Sequence, residues 1–286
     1  MQFLKFRTFI LNFFLMSCIL FLNGCNSGVL CPKGDIAIKQ RSLILVAFTV
    51  MLFIIVPVFF MTWFFSTKYR ENNIQSDYRP HWSHSNVIES LVWGFPILII
   101  VFLSILSWKS VHDLDPYKKI VSNVKPIKIN VVSLDWKWLF IYPKENIATV
   151  NELVFPVNTP ITFELTSNSV MNSFFIPSLG SQIYTMAGMR TQLNLIANRS
   201  GVYKGISANY SGKGFSDMKF TTKVTSNVAL FEKWIKKVRC SPYKLDSISS
   251  FEKVAYPSEN NIIEYYSSIK NNLFNIIIKK IKYNRR

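Results

Sequence analysis

Ile161-Thr162-Phe163-Glu164-Leu165-Thr166 alternates apolar and polar side chains without a break. In an extended chain that period of two puts one kind of residue on each face, as in a half-buried strand. The pattern recurs upstream in Ile127-Lys128-Ile129-Asn130-Val131, and downstream in Gln192-Leu193-Asn194-Leu195-Ile196 and Met218-Lys219-Phe220-Thr221-Thr222-Lys223-Val224. Pro, Gly, Asn and Ser interrupt the chain between these runs. Short alternating strands separated by turn residues predict an all-β antiparallel sandwich over residues 125–226. Beyond it the period changes. Leu230, Trp234 and Val238 recur at the spacing of a helical stripe. The Asn-rich remainder is read as a short helical appendage, so residues 227–286 are predicted to be a C-terminal helical region.

Working towards the N-terminus, two apolar segments are long enough to cross a bilayer, for which about 20 residues suffice. Residues 42–66 contain no charged side chain and residues 87–108 contain only Glu89. Trp63, Trp93 and Trp108 lie towards the segment ends, where interfacial aromatics belong. Pro57 and Pro96 are expected to kink the two helices. A buried soluble hairpin is the alternative, and spans this long and uncharged argue against it.

Further upstream, Lys5 and Arg7 precede an apolar run over 9–22 and then Leu22-Asn23-Gly24-Cys25. That order describes an export signal. Cys25 directly after Gly24 resembles the lipobox of bacterial lipoproteins, with residues 1–24 as signal peptide and Cys25 as the acylated first residue; Asn23 departs from the small residue usual there. An uncleaved signal anchor is the competing reading. With Cys25 outside, residues 25–41 form an external tether, 67–86 a cytoplasmic loop, and everything after His112 is external. Lys68, Arg70 and Arg79 against Glu71 and Asp77 in the loop, and Lys33, Lys39 and Arg41 against Asp35 outside, give no useful charge bias, so the topology rests on the signal.

The net charge of +17 raises nucleic-acid binding, which scattered lysines in an exported membrane chain argue against. The tail Lys279-Lys280-Ile281-Lys282-Tyr283-Asn284-Arg285-Arg286 could touch anionic lipid, although a solvated, frayed terminus is the simpler reading. Cys18 falls within the signal. Cys31 and Cys240 have no reason in sequence to meet and are read as separate thiols. His81 and His84 lie in a polar loop without nearby Cys, and no Ser-His-Asp or Cys-His constellation emerges from three scattered histidines. There is no internal repeat and no phosphate-binding glycine loop.

Two further stretches carry the chemistry: Met171-Asn172-Ser173-Phe174-Phe175-Ile176-Pro177 and Gly205-Ile206-Ser207-Ala208-Asn209-Tyr210-Ser211-Gly212-Lys213-Gly214-Phe215-Ser216-Asp217-Met218. Together they resemble the dinuclear copper (CuA) region of subunit II of the haem-copper oxidases. There a His precedes a Phe-Phe-x-Pro turn, and two Cys, a Glu, a second His and a Met follow on the later loop. Asn172 stands where the first His would be, Ser207 and Ser211 where the Cys pair would be, Asn209 at the Glu position, Phe215 at the second His, and Met218 at the Met. Copper requires soft thiolates and imidazoles, and neutral hydroxyls and amides do not replace them. One thioether does not retain the metal. No metal is therefore expected in this domain.

The resemblance extends over most of the chain, through the lipobox, the helical hairpin, Asp135-Trp136-Lys137-Trp138 and the copper-loop remnant. In that order these features resemble subunit II of the bacterial cytochrome bo-type ubiquinol oxidases. This implies two transmembrane helices followed by a cupredoxin-like Greek-key sandwich in the periplasm, held at the bacterial inner membrane. It also implies a non-catalytic subunit of a proton-pumping complex that oxidises ubiquinol and reduces oxygen to water. Haems and copper belong to subunit I, and none to this chain. Its partners are subunit I, the other oxidase subunits and membrane lipid, but not cytochrome c. Trp136 and Trp138, two apart, are expected to share one strand face and to pack structurally rather than carry electrons. Glu89 resembles a subunit II carboxylate near the mouth of a proton channel, which suits an ionisable group at a membrane helix end. An N-cap Asn86 with Glu89 as its capping-box acid is the local alternative. Two other functions stay open: a copper-bearing subunit II serving cytochrome c, and a stand-alone lipoprotein binding an exported partner.

Overall fold

The computed structural model describes residues 28–71, 81 and 83–284. The predicted signal over 1–24, with Cys18, and the predicted lipidation site Cys25 lie outside the described residues. So do 72–80 and 82 of the connecting loop, and Arg285 and Arg286. The chain divides into two compact units: Arg41–Asp115, and Met1–Gln40 together with Pro116–Arg286.

The smaller unit is helical. Helix α1 (Asp35–Lys68) enters it from the larger unit, and α2 (Asn86–Asp113) follows. Both are long and apolar enough to cross a membrane. Four of their hydroxyls bond back to the helix: Thr49, Thr62, Thr67 and Ser110 each donate to the carbonyl four residues back. That satisfies a polar group where no water would. Phe53 of α1 meets Phe95 of α2 with ring centroids 6.4 Å apart. At the start of α2 the N-cap is Ser85, in extended conformation, and its side chain caps nothing. The capping box expected from Asn86 and Glu89 is therefore not formed, because the helix starts one residue earlier and the Glu89 amide already donates to the Ser85 carbonyl at 2.9 Å.

The larger unit is a two-sheet sandwich. Its strands are β1 (Ile127–Leu134), β2 (Lys137–Tyr142), β3 (Ile147–Val150), β4 (Glu152–Pro156), β5 (Ile161–Ser167), β6 (Asn172–Phe175), β7 (Gln182–Thr185), β8 (Thr191–Leu195), β9 (Gly201–Ser207) and β10 (Lys219–Thr225). Helices α3 (Val228–Arg239) and α4 (Ile248–Ala255), strand β11 (Glu264–Tyr266) and helix α5 (Leu273–Asn284) complete it. One sheet runs β11-β3-β2-β1-β5-β8 and the other β4-β10-β9-β6-β7. The sandwich is mixed rather than purely antiparallel: β1 pairs with β5, and β10 with β4, in parallel. Alternation along a strand reports which face is buried and carries no information on a neighbour's direction.

Aromatic rings fill the space between the sheets. Phe174 on β6 stacks on Phe220 of β10 at 5.1 Å, and Trp138 on β2 stands edge-on to both. The stack depends on Gly205, which faces Phe220 across the ladder; a Cβ there would stand 2.0 Å from the ring. The outer face of the first sheet is covered as well. Val132, Leu134, Leu139, Ile141 and Val150 are buried beneath Phe251 of α4 and Leu273, Phe274 and Ile277 of α5. The C-terminal region supplies the expected helices, α3, α4 and α5, and does more than append them. It adds β11 to the sheet edge beside β3 and closes a second core, which is why all of β2 is buried.

The segment ahead of the hairpin is fastened to the same unit. The Lys33 amide donates to the Ser178 carbonyl at 2.7 Å, and the Asn198 amide to the Lys33 carbonyl at 2.8 Å. Asn198 also bonds Asp35 through its side chain. Gly180, at φ +86°, lets the backbone of Ala37 pass where a Cβ would come within 2.9 Å of it. The segment behind the hairpin is held next to it: the Pro116 carbonyl accepts from both the amide and the side chain of Asn194, each at 3.1 Å.

Candidate functional site: the remnant of a copper loop

The six positions singled out in the sequence come together at one end of the sandwich. β6 supplies Asn172, the end of β9 supplies Ser207, and the connection from β9 to β10 supplies Asn209, Ser211, Phe215 and Met218. Pairing of β6 with β9 sets Phe174 opposite Ser207, and the Ala208 amide continues the ladder to the Ser173 carbonyl at 3.0 Å. The Ser207 amide closes the loop onto the Met218 carbonyl at 3.1 Å.

These positions are bonded to one another and to the surrounding backbone. Ser207 donates through Oγ to Asn172 Oδ1 at 3.1 Å and to the Asn209 carbonyl at 3.4 Å. Asn172 donates to the Val170 carbonyl at 3.4 Å, and Asn209 to the Met171 carbonyl at 3.1 Å. Ser211 points its hydroxyl at the Met218 sulfur, 3.9 Å away, and Met218 is buried. Phe215 opens a short 3-10 turn and meets the Tyr210 ring edge-on at 5.6 Å. Beneath them Thr185 donates to the Asn172 carbonyl at 3.2 Å and shares a hydrogen bond with Ser133 at 2.9 Å.

This donor set does not fit copper. It holds hydroxyls, amides, a phenyl ring and one thioether, with no thiolate or imidazole. Its lone pairs and protons are spent on the protein itself, as buried polar groups require. Among the described residues no cluster of three His, Cys, Asp or Glu could hold a metal ion.

Trp136 and Trp138 do not share a strand face. Trp136 occupies the turn between β1 and β2 at φ +62°, a left-handed conformation that removes it from the strand alternation. Its indole lies over Gly212 and Gly214, where a Cβ at the latter would come within 2.6 Å of the ring. Its Nε1 donates to the Ser211 carbonyl at 3.2 Å. Trp138 points into the core. Lys137 between them is nearly buried and donates to the Tyr256 carbonyl at 3.1 Å and to Ser258 at 2.6 Å. Burial lowers its pKa, with Glu264 and Asp135 opposing the shift.

Sequence reasoning missed Glu152. It is fully buried on β4, yet its carboxylate accepts from Lys223 of β10, from Tyr265 of β11 at 2.7 Å and from Trp234 of α3 at 3.0 Å. Burial pushes its pKa up, and the three donors outweigh that and hold it below the usual carboxylate range. The same contact, added to burial, pushes the Tyr265 phenol upward. No local signal marks the cluster, because Tyr265 lies 113 positions from Glu152.

The remaining candidates are dispersed. Glu89 is exposed in the first turn of α2. His84 shares a hydrogen bond with its neighbour Ser83 at 3.3 Å, and the His112 ring packs on Trp108 at 4.6 Å. Cys31 and Cys240 are both thiols.

Residues 122–225 match the family described as cytochrome c oxidase subunit II, periplasmic domain, and residues 239–282 match the COX aromatic rich motif. The chain is 62% identical over 281 residues to cytochrome bo(3) ubiquinol oxidase subunit 2 of Buchnera aphidicola subsp. Baizongia pistaciae, covering 98% of each chain. It is 53% identical to the Pseudomonas putida protein of that name, over 92% of this chain and 83% of the relative. Quinol oxidase subunit 2 of Bacillus anthracis is 40% identical, over 80% of each. Identity of this extent, running from the apolar hairpin through the donor-poor loop to the aromatic C-terminal region, makes the chain a member of the ubiquinol oxidase subunit 2 family.

Proposed function

We propose that this chain is subunit II of a proton-pumping terminal oxidase that oxidises ubiquinol and reduces oxygen to water, and that it carries no redox centre of its own. The observation that carries this reading is the coincidence of full-length similarity to quinol oxidase subunits with a loop whose thiolate and imidazole positions hold hydroxyls, amides and a phenyl ring. A water-soluble donor such as cytochrome c delivers electrons outside the bilayer and needs an external relay metal. Ubiquinol dissolves in the bilayer and reaches the membrane-embedded subunit directly. The relay is then unnecessary, and the loop is free to become packing. The same donor set counts against a copper-bearing subunit serving cytochrome c.

In this reading the chain anchors the assembly in the bacterial inner membrane, caps its external face with the sandwich, and binds subunit I through its helices. Lipid on Cys25 would add a second anchor. Glu89, the only ionisable residue over 87–108, is assigned to proton uptake, since charged groups within membrane segments are expensive and mark proton paths.

Oxygen uptake by the complex purified in mild detergent tests the assignment. Uptake with ubiquinol and none with reduced cytochrome c is expected, and uptake driven by cytochrome c would overturn it. For Glu89, a Glu89→Ala complex is expected to assemble and turn over several-fold more slowly. Unchanged turnover would remove the proton role.

A further inference from the structure

The solvent face of β9 and β10 has a pattern that the oxidase assignment does not use. Across the ladder Val202 faces Lys223, Lys204 faces Thr221, and Ile206 faces Lys219, so basic and apolar side chains interleave. Beside this face stands a wall, the strap over 261–263 that leads into β11. Asn151 fixes the strap: its Oδ1 accepts from the Trp138 amide at 2.9 Å and its Nδ2 donates to the Asn261 carbonyl at 3.0 Å. Between face and wall lies an open cleft of about 590 Å3, lined by Val202, Lys204, Lys219, Thr221, Ile262 and Ile263 among others. Two apolar side chains project at it with little cover, Val202 at 68% and Ile262 at 75% exposure.

The charge on this face is unbalanced. Lys223 is neutralised by Glu152. Among the described residues Lys219 pairs with Asp217 alone, at 3.9 Å. Lys204 has no ion-pair partner among the described residues. Exposed apolar side chains next to one unpaired cation and one held only by a long, exposed ion pair mark a surface that gains by being covered with something acidic and partly apolar.

We propose that this cleft docks an acidic segment of a partner protein, with carboxylates over Lys204 and Lys219 and apolar side chains against Val202 and Ile262. A walled cleft suits a narrow polypeptide. A bilayer is flat and cannot follow the wall, so a lipid surface fits less well. The proposal does not depend on the reaction of the complex, and none of these residues belongs to the loop remnant or the helices.

Anisotropy of a labelled peptide of alternating Glu and Leu, titrated with the intact detergent-purified complex, tests it. The native complex is expected to bind the peptide and to lose affinity as salt rises. Lys204→Glu combined with Lys219→Glu should weaken binding about ten-fold, since attraction becomes repulsion at two places. Ile262→Ser should weaken it by a smaller factor, and Lys236→Glu on α3 should leave it unchanged. Ubiquinol-driven oxygen uptake is expected to stay at the native rate in every variant, which shows that the assembly is intact and separates failure here from failure of the oxidase reading. Equal affinity in the double variant, or no binding of the peptide, overturns the proposal. So does capture of phosphatidylglycerol vesicles through Lys204 and Lys219 in place of the peptide.

Discussion

Glu152 joins four elements through one carboxylate, with Lys223, Trp234 and Tyr265 as donors. Replacing it with Gln keeps the shape and loses the charge-assisted bonds, so Glu152→Gln is expected to destabilise the sandwich by about 1–3 kcal/mol in denaturant unfolding. Its lowered folded-state pKa fixes the sign with pH. The contribution is present above the unfolded glutamate value, about 4.3, and is lost as pH falls through the folded value. The native chain should therefore lose stability below about pH 4, and the variant should show a shallower loss. In the loop remnant, Ser207→Ala removes the donor to Asn172 Oδ1 and leaves that oxygen buried, which should cost about 1–3 kcal/mol. The six loop positions were legible because spacing survives when chemistry is lost. Trp136 was misread, since only its backbone dihedral reveals that it has left the strand.

Elements were legible in proportion to their length and to the regularity of their pattern. The alternating runs that begin at Ile127, Ile161 and Gln192 fall on β1, β5 and β8, and the run that begins at Met218 enters β10 one residue later, at Lys219. Glu264-Tyr265-Tyr266 is too short to display a period, and its partner β3 lies more than a hundred positions away, so β11 could not be read from local pattern. The Asn-rich composition of that region also suggested loop and helix. Pairing of β9 with β10 turns on Gly205, whose missing side chain makes room for the Phe220 ring. Gly205→Val should force the Phe174–Phe220 stack apart, with an expected loss of about 1–3 kcal/mol from overpacking. A lowered melting temperature, together with faster amide exchange in β9, would register it. An unchanged melting temperature would mean that the stack can shift to accommodate the branch.

For the molecule as a whole, the C-terminal region completes the core. Deleting 241–286 uncovers Val132, Leu139, Ile141 and Val150 on the outer face of the first sheet. The truncated chain is expected to aggregate and to fail to assemble with its partner subunits, as judged by co-purification. The fastening of Lys33 and Asp35 to Asn198, and of Pro116 to Asn194, has a consequence in time. The chain is made from its N-terminus, so Lys33 leaves the ribosome long before its acceptor turn exists. The segment ahead of α1 must wait, unfastened, until residues 178–198 have been made and have joined the sandwich. Closure of that distant contact is therefore a late event in biogenesis. It divides the life of the chain into an early stage, before Ser178, Asn194 and Asn198 are in place, and a mature stage in which the segments at 33–35 and 116 are both tied to the sandwich.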